Sequence, residues 1–252
     1  MPEVGARRRK RGFVCKGDRA ESARKTVGSQ VLLPFPNTWG GRRRGAGRKR
    51  QGVRAEVPHR ARSAHRAAEP VHVTRRSRFK PLRSQFVFPT LRGAIGDVNR
   101  RHRGKFRIVH FSVQFDHLHL IVEALDRKTL SGGMAGFTVS LARRLNRLAF
   151  RRGRLFSDRW HERPLTTPRA VRHAIVYVLA NCRKHGEPEV LIDHYSSAPH
   201  FRFFKEFHGK TPLEADGNAS EARGSPVEPP STWLLSQGWL RGGSISVYEH
   251  PR

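Results

Sequence analysis

The stretch Phe115-Asp116-His117-Leu118-His119-Leu120-Ile121-Val122 decides the fold, because its alternating pattern is that of a β-strand. Side chains on a strand alternate between faces, so we expect the two histidines to point to one side and the leucines to the other. A buried imidazole needs a partner that satisfies its polar atoms. Two imidazoles on one strand face therefore suggest half of a divalent metal site, although imidazole suits several ions and the pair alone does not name the metal.

A later helix supplies the second group of interest. Thr167-Pro168 has the composition of a helix start, with Thr167 as N-cap, and Gly186 is a typical residue after a helix end. Tyr177 and Asn181 are spaced i, i+4 on this helix, so we expect them to share a face beside its apolar stripe. A phenol with an ordinary pKa near 10 is a poor nucleophile unless a neighbour activates it. An oxygen ligand such as the Asn181 amide would favour Mg²⁺ or Mn²⁺ as the ion.

The remaining periodicities predict a small α+β domain. The spacing of apolar residues indicates two further helices and three further strands around the histidine strand. The predicted ranges are a strand at 71–74, a helix at 86–103, a strand at 106–113, a helix at 130–148 with a basic outer face, and a strand within 154–165. The order β-α-β-β-α-β-α predicts a small antiparallel sheet flanked by helices.

Composition indicates a polyanion as the partner. The 252 residues include 50 lysines and arginines against 20 acidic residues, a formal net charge of +30, which is the electrostatic pattern of a nucleic-acid binder. No apolar run approaches the length of about 18 residues needed to span a bilayer, so we expect no membrane partner. Cys15 and Cys182 lie far apart and imply no disulfide framework, which fits the cytoplasm.

The charge divides the chain into three predicted parts. Residues 1–69 form a basic arm with little apolar periodicity, which we expect to be disordered when free and to bind DNA through residues 40–68. Residues 70–205 form the predicted domain, and residues 206–252 form a partly disordered tail in which 233–240 is expected to be a short helix that docks on the domain.

Several motifs in this order resemble one family. The His117-Leu118-His119 strand is similar to that of the IS200-like single-tyrosine transposases of the HUH nuclease superfamily. Tyr177-Val178-Leu179-Ala180-Asn181, the lead-in Gly45-Ala46-Gly47-Arg48-Lys49-Arg50 and Pro70-Val71-His72-Val73-Thr74 resemble the REP-associated tyrosine transposases within that group. The similarity runs from about residue 40 to residue 186.

The resemblance implies an HUH, ferredoxin-like sandwich and a metal-dependent endonuclease and DNA strand transferase. Tyr177 would attack a phosphate of single-stranded or hairpin DNA and form a 5′-phosphotyrosine, while His117, His119 and Asn181 would hold Mg²⁺ or Mn²⁺. The protein would act as a monomer or a homodimer. Basic residues are expected to position DNA phosphates without specifying sequence; they are Arg48, Lys49, Arg50, Arg143, Arg144, Arg147, Arg159 and Arg163.

Two alternatives belong to other classes. A rolling-circle replication initiator or a relaxase uses the same metal and tyrosine chemistry. Relaxases tend to place the tyrosine before the histidine pair, and initiators often have a lysine where Asn181 stands here. A nucleic-acid-binding module without catalysis would present stacking aromatics on its sheet, for which Phe106, Phe111 and Phe115 are candidates. One departure from the transposase pattern is Gln114-Phe115-Asp116, which replaces the Met-Pro-Asn that often precedes the histidines.

Overall fold

An antiparallel sheet of four strands organises the part of the chain that the computed structural model describes, residues 64–185, 189–218 and 224–251. The strands are β1 (Val71–Arg76), β2 (Phe106–Val113), β3 (His117–Ala124) and β4 (His161–Pro164). They lie in the order β2-β3-β1-β4, with the histidine strand β3 in the interior of the sheet. The predicted α+β class and the predicted order of the first seven elements are confirmed.

Helices cover both faces of the sheet. They are α1 (Phe88–Arg101), α2 (Arg127–Leu148), α3 (Pro168–Leu179), and the short α4 (Pro212–Ala215) and α5 (Trp233–Ser236). The α3 start is as predicted: the Thr167 side chain accepts a hydrogen bond from the Ala170 N–H, and Pro168 occupies the first turn. None of the helices within the described ranges has the length and apolar character needed to cross a bilayer.

One face of the sheet packs against α1 and α2. Leu118 and Leu120 of β3 are completely buried there together with the apolar stripe of α2, which includes Phe137 and Leu141. Burial of each such side chain stabilises the fold by roughly 1.5–3 kcal/mol relative to exposure, an upper range because the unfolded chain is itself partly compact. The period-2 alternation of β3 thus commits its leucines to this core and its histidines to the opposite face.

The opposite face packs against α3 and the end of the chain. Ile121 of β3 and Ile175 of α3 are buried in this second core, and Trp239 of the 3₁₀ segment Gly238–Gly242 is only 1% exposed. The predicted docking of a short helix within 233–240 is confirmed by α5 and this 3₁₀ segment. The C-terminal segment therefore supports the helix that presents Tyr177.

Several bounds differ from the predicted ranges by up to about three residues, and two elements differ more. The strand expected within 154–165 is limited to β4, because Leu155 instead accepts a backbone hydrogen bond from Arg78 outside the sheet. Helix α3 ends at Leu179, and the chain continues as a 3₁₀ segment, Asn181–His185.

Candidate metal and nucleophile site

The two histidines of β3 point to the α3 side of the sheet, as the alternation predicts. The ring centroids of His117 and His119 lie 4.8 Å apart, with the ring planes nearly perpendicular. His119 is directly opposite Thr74 of β1, which is in turn opposite His161 of β4. Residues paired in this way project to the same face, so a row of polar side chains crosses this face of the sheet.

Tyr177 meets this pair from α3. Its ring centroid lies 5.0 Å from that of His119, and the two rings are perpendicular. Burial raises the pKa of the Tyr177 phenol above its ordinary value of 10, so the group is neutral at physiological pH. The Lys184 ammonium lies 5.1 Å from the centre of the phenol ring, a cation–π distance. The phenol ring therefore lies beside His119, and it requires activation before it can act as a nucleophile.

Asn181 is buried, but it lies in a different element from the predicted one. It opens the 3₁₀ segment that follows α3, so the prediction that Tyr177 and Asn181 lie on one α-helix is wrong. Its side chain is fully buried, and neither its amide oxygen nor its amide nitrogen has a hydrogen-bond partner within the described residues. A buried polar group without a partner destabilises a protein by about 1–3 kcal/mol, which makes this amide a candidate ligand for a bound group.

Asp116 orients the first histidine. The Nδ1 atom of His117 lies 2.8 Å from a carboxylate oxygen of Asp116, and Lys80 is 3.4 Å from the other oxygen. Burial by itself would raise the pKa of Asp116, but its hydrogen bonds and charge interactions with His117 and Lys80 outweigh burial and lower it. A carboxylate that accepts the Nδ1 proton leaves Nε2 unprotonated, which is the form of imidazole that binds a metal. The sequence showed Asp116 only as a departure from the family pattern.

His72 is a site residue that the sequence reasoning missed. It lies on β1 with its Nε2 atom 3.2 Å from Nδ1 of His119, and its ring centroid lies 5.7 Å from that of Tyr177. Burial, followed by the charges of Arg163 and His161, lowers the pKa of His72 to about 4, so this imidazole is neutral at physiological pH. The available signal was the alternation of Val71-His72-Val73-Thr74, in which the valines are buried in one core and the polar residues face the other side.

The donor set suits a divalent cation. Within the described residues no cluster of three histidine, cysteine or acidic side chains could hold an ion. A site here therefore depends on two imidazoles and a neutral oxygen ligand. The orphaned amide of Asn181 satisfies the chemical requirement for that ligand. The side chains of His117, His119 and Asn181 are of the donor types that the predicted Mg²⁺ or Mn²⁺ would bind.

The predicted phosphate-binding arginines fall into separate places. The rings of His72, His117, His119 and Tyr177 form a ring cluster on this face of the sheet. Arg163 lies on β4 directly opposite His72 and is exposed beside this cluster. The α2 arginines lie on the other side of the sheet, where Arg143 and Arg147 are exposed and Arg144 is ion-paired with Asp97. Arg159 is half-buried in the segment before β4, and Arg48, Lys49 and Arg50 lie outside the described residues. The structure thus brings Arg163 to the ring cluster and places the α2 arginines away from it.

Two of the three phenylalanines proposed for base stacking are buried. Phe106 and Phe111 are buried in the core beneath α1 and α2, where no base could reach them. Phe115 is 59% exposed at the turn that leads into the histidine strand, and the Lys80 ammonium lies 5.8 Å from its ring centre. The sheet therefore lacks the aromatic platform of a stacking module in its described strands.

Parts of two solved structures are similar to parts of this chain. A REP-associated tyrosine transposase bound to a REP hairpin is 20% identical and matches 56% of this chain and 82% of its own, with a TM-score of 0.47. A candidate transposase from Deinococcus radiodurans R1 is 14% identical and matches 44% of this chain and 87% of its own, with a TM-score of 0.33. No protein-family model and no curated protein sequence matches the chain.

Proposed function

We propose that the protein cleaves and rejoins single-stranded or hairpin DNA through a covalent 5′-phosphotyrosine on Tyr177. The observation that supports this most directly is the position of the Tyr177 ring, 5.0 Å from His119 on the sheet face that also presents His117. A phenol in this position has neighbours suited to holding a phosphate and a cation, which is what attack at phosphorus requires. The net charge of +30 supports a nucleic acid as the substrate.

The chemistry assigned to these residues is a reversible transesterification. The Tyr177 oxygen attacks phosphorus, the bond from phosphorus to the 3′ oxygen breaks, and the tyrosine becomes esterified to the 5′ phosphate. The proton that leaves the phenol is matched by the proton that the departing 3′ oxygen takes up. A bound Mg²⁺ or Mn²⁺ would act as a Lewis acid on the phosphate oxygens. A 3′ hydroxyl from a second DNA end then reverses the reaction, so rejoining needs no nucleotide cofactor.

Residues around Tyr177 have distinct parts in this proposal. His117, held by Asp116, and His119 provide the two nitrogen ligands, and Asn181 provides the oxygen ligand. Arg163 would hold a phosphate of the bound strand, because it is exposed beside the ring cluster and forms no ion pair within the described residues. The Lys184 ammonium, placed over the phenol ring, favours the negative charge that develops on the phenol oxygen as its proton leaves.

Labelled hairpin oligonucleotides with Mn²⁺ or Mg²⁺ test the reaction. The 3′-labelled substrate should give a labelled protein band on a denaturing gel, whereas the 5′-labelled substrate should give a shortened free strand. Tyr177→Phe should abolish the covalent band. Tyr248→Phe is the matched control, because Tyr248 is 64% exposed and lies outside the ring cluster. Retention on a native gel without any covalent band would instead establish a binding module.

A second variant separates binding from cleavage. His119→Ala should abolish the covalent band and leave DNA retention largely unchanged, since the basic surface is unaltered. Equal loss of retention and cleavage would contradict a metal-binding role for this residue.

The predicted basic arm is tested by truncation. Deletion of residues 1–68 removes 19 lysines and arginines and four acidic residues, so it should weaken DNA binding and flatten its dependence on salt. Deletion of residues 1–38 should leave cleavage intact. An unchanged salt slope after the larger deletion would remove the arm from the proposed function.

A further inference from the structure

We infer that His72 is a positioning residue that fixes the tautomer of His119, so that Nε2 of His119 remains available to a metal. The inference concerns a proton on the metal-free protein, and its consequence for the cation rests on the function proposed above. His72 lies on a different strand from the histidine pair and belongs to none of the motifs from which the metal ligands were predicted.

His72 and Thr74 contact the same ring nitrogen of His119. The Nε2 atom of His72 and the Oγ1 atom of Thr74 each lie 3.2 Å from Nδ1 of His119. The His72 and His119 rings are 5.3 Å apart and tilted by 33°. Since Thr74 is directly opposite His119, His72 is its diagonal neighbour, a relation that puts long side chains within reach. Both β1 neighbours therefore contact Nδ1 of His119, which leaves Nε2 as the nitrogen that could bind a metal.

The proton count makes His72 the decisive neighbour. A neutral imidazole has a single N–H, so a proton on Nδ1 of His119 leaves Nε2 with its lone pair. If His72 accepts at its own Nε2, the His119 proton is held at Nδ1. If His72 donated from Nε2 instead, the His119 proton would be at Nε2, and that nitrogen would be unable to coordinate. The Thr74 hydroxyl accepts or donates equally well, so it follows whichever arrangement His72 imposes.

Coordination of a metal by His119 requires the accepting arrangement. A neutral imidazole that coordinates through Nε2 carries its proton on Nδ1, and His72 and Thr74 are the neighbours placed to accept that proton. The arrangement resembles that of Asp116 with His117, because each histidine of the pair then has its own Nδ1 acceptor. Groups that orient a ligating histidine in this way typically change metal affinity by about 10–100-fold when removed.

The tautomer can be read directly in the metal-free, full-length protein. Long-range ¹H–¹⁵N NMR spectra of ¹⁵N-histidine-labelled protein distinguish a protonated Nδ1 from a protonated Nε2, and His119→Ala assigns the His119 signals. We expect His119 to carry its proton on Nδ1 in the wild type. In His72→Phe, which keeps an aromatic ring but no acceptor, we expect the signals to move toward a mixture of the two tautomers. A wild-type proton on Nε2 would overturn the inference.

Mn²⁺ affinity provides the second readout, measured as free Mn²⁺ by electron paramagnetic resonance. His72→Phe should weaken binding on the order of 10-fold or more, and His72→Gln, whose amide oxygen can accept, should recover most of it. His194→Phe is the matched control, because His194 is exposed and away from β1. Equal Mn²⁺ affinity in wild type and His72→Phe, both folded by circular dichroism, would refute the positioning role.

The two measurements keep this inference separate from the proposed function. If the wild type has the Nδ1 proton but binds no Mn²⁺ and gives no covalent DNA band, the tautomer assignment holds and the metal-dependent reaction fails. If His72→Phe does not fold, the wild-type spectrum and the Mn²⁺ affinity of His72→Gln still test the inference. A proton on Nε2 of His119 in the wild type would contradict it.

Discussion

Replacement of Glu123 by alanine should detach the C-terminal segment from the sheet. Glu123 lies on the α3 side of β3, is only 3% exposed, and its carboxylate accepts hydrogen bonds from the backbone and the hydroxyl groups of both Ser231 and Thr232, at 2.6–2.9 Å. Thr232 is also the N-cap of α5. The carboxylate thus joins the end of the histidine strand to the segment that packs on α3.

The expected loss of folding stability in Glu123→Ala follows from the groups that lose their partner. Ser231 is exposed, so its polar groups can turn to water, but the N–H of the buried Thr232 cannot, and its loss of a partner costs about 1–3 kcal/mol. Arg107, which lies 3.7 Å from the carboxylate, loses its ion pair as well. We therefore expect Glu123→Ala to lower the free energy of unfolding by about 3–5 kcal/mol, the range found when one partner of a buried charged network is removed. Glu123→Gln keeps one acceptor oxygen but turns an NH₂ group toward an N–H donor, so about half of that loss is expected.

Urea unfolding followed by tryptophan fluorescence measures this effect close to the perturbation. Trp239 is almost fully buried beside α3, and Trp233 opens α5, so both report on the segment that Thr232 anchors. Glu189→Ala is the matched control, because Glu189 is exposed and should change stability by no more than about 0.5 kcal/mol. A Glu123→Ala variant as stable as that control would refute the assignment of Glu123 as the anchor.

Further outcomes follow from other buried or exposed groups. Burial lowers the pKa of His110 to about 4 from 6.5, so the unfolded chain binds more protons between these values. The contribution of His110 to stability should be full above pH 6.5 and fall by up to about 3 kcal/mol toward pH 4. In urea titrations His110→Phe should remove this part of the pH dependence and leave the part that comes from His72, whose pKa is lowered in the same direction. Gly133→Ala places a Cβ atom about 2.4 Å from the ring of Phe106 and should lower the free energy of unfolding by about 1–3 kcal/mol. Gly132→Ala, whose Cβ atom meets nothing within 4 Å, should be neutral or stabilising by up to about 1 kcal/mol. A similar melting temperature for the two variants would contradict the close packing of Gly133 against Phe106. Arg163→Gln should reduce the salt slope of DNA binding by about one, and an unchanged slope would exclude a phosphate contact.

Local sequence pattern was enough to predict the elements that frame the site. Alternation in β3 sends the histidines and leucines to opposite faces, the 3.6-residue apolar period gives α2 its buried stripe, and Thr167-Pro168 begins α3. These features depend on neighbours within a few residues, so the backbone geometry of each element determines them. The meeting of Tyr177 with His119 was predicted through resemblance, since spacing alone made the phenol a weak candidate.

The tertiary structure decided which other residues join the site. His72, which is 47 positions before His119, reaches it only because β1 pairs with β3 in the register that sets Thr74 opposite His119. Asn181 leaves the α3 helix and becomes buried, and Glu123 gains its partners from residues more than 100 positions later. Strand pairing and the docking of the chain end are long-range events that no local period encodes, because they depend on which surfaces remain to be buried once the helices and strands have formed.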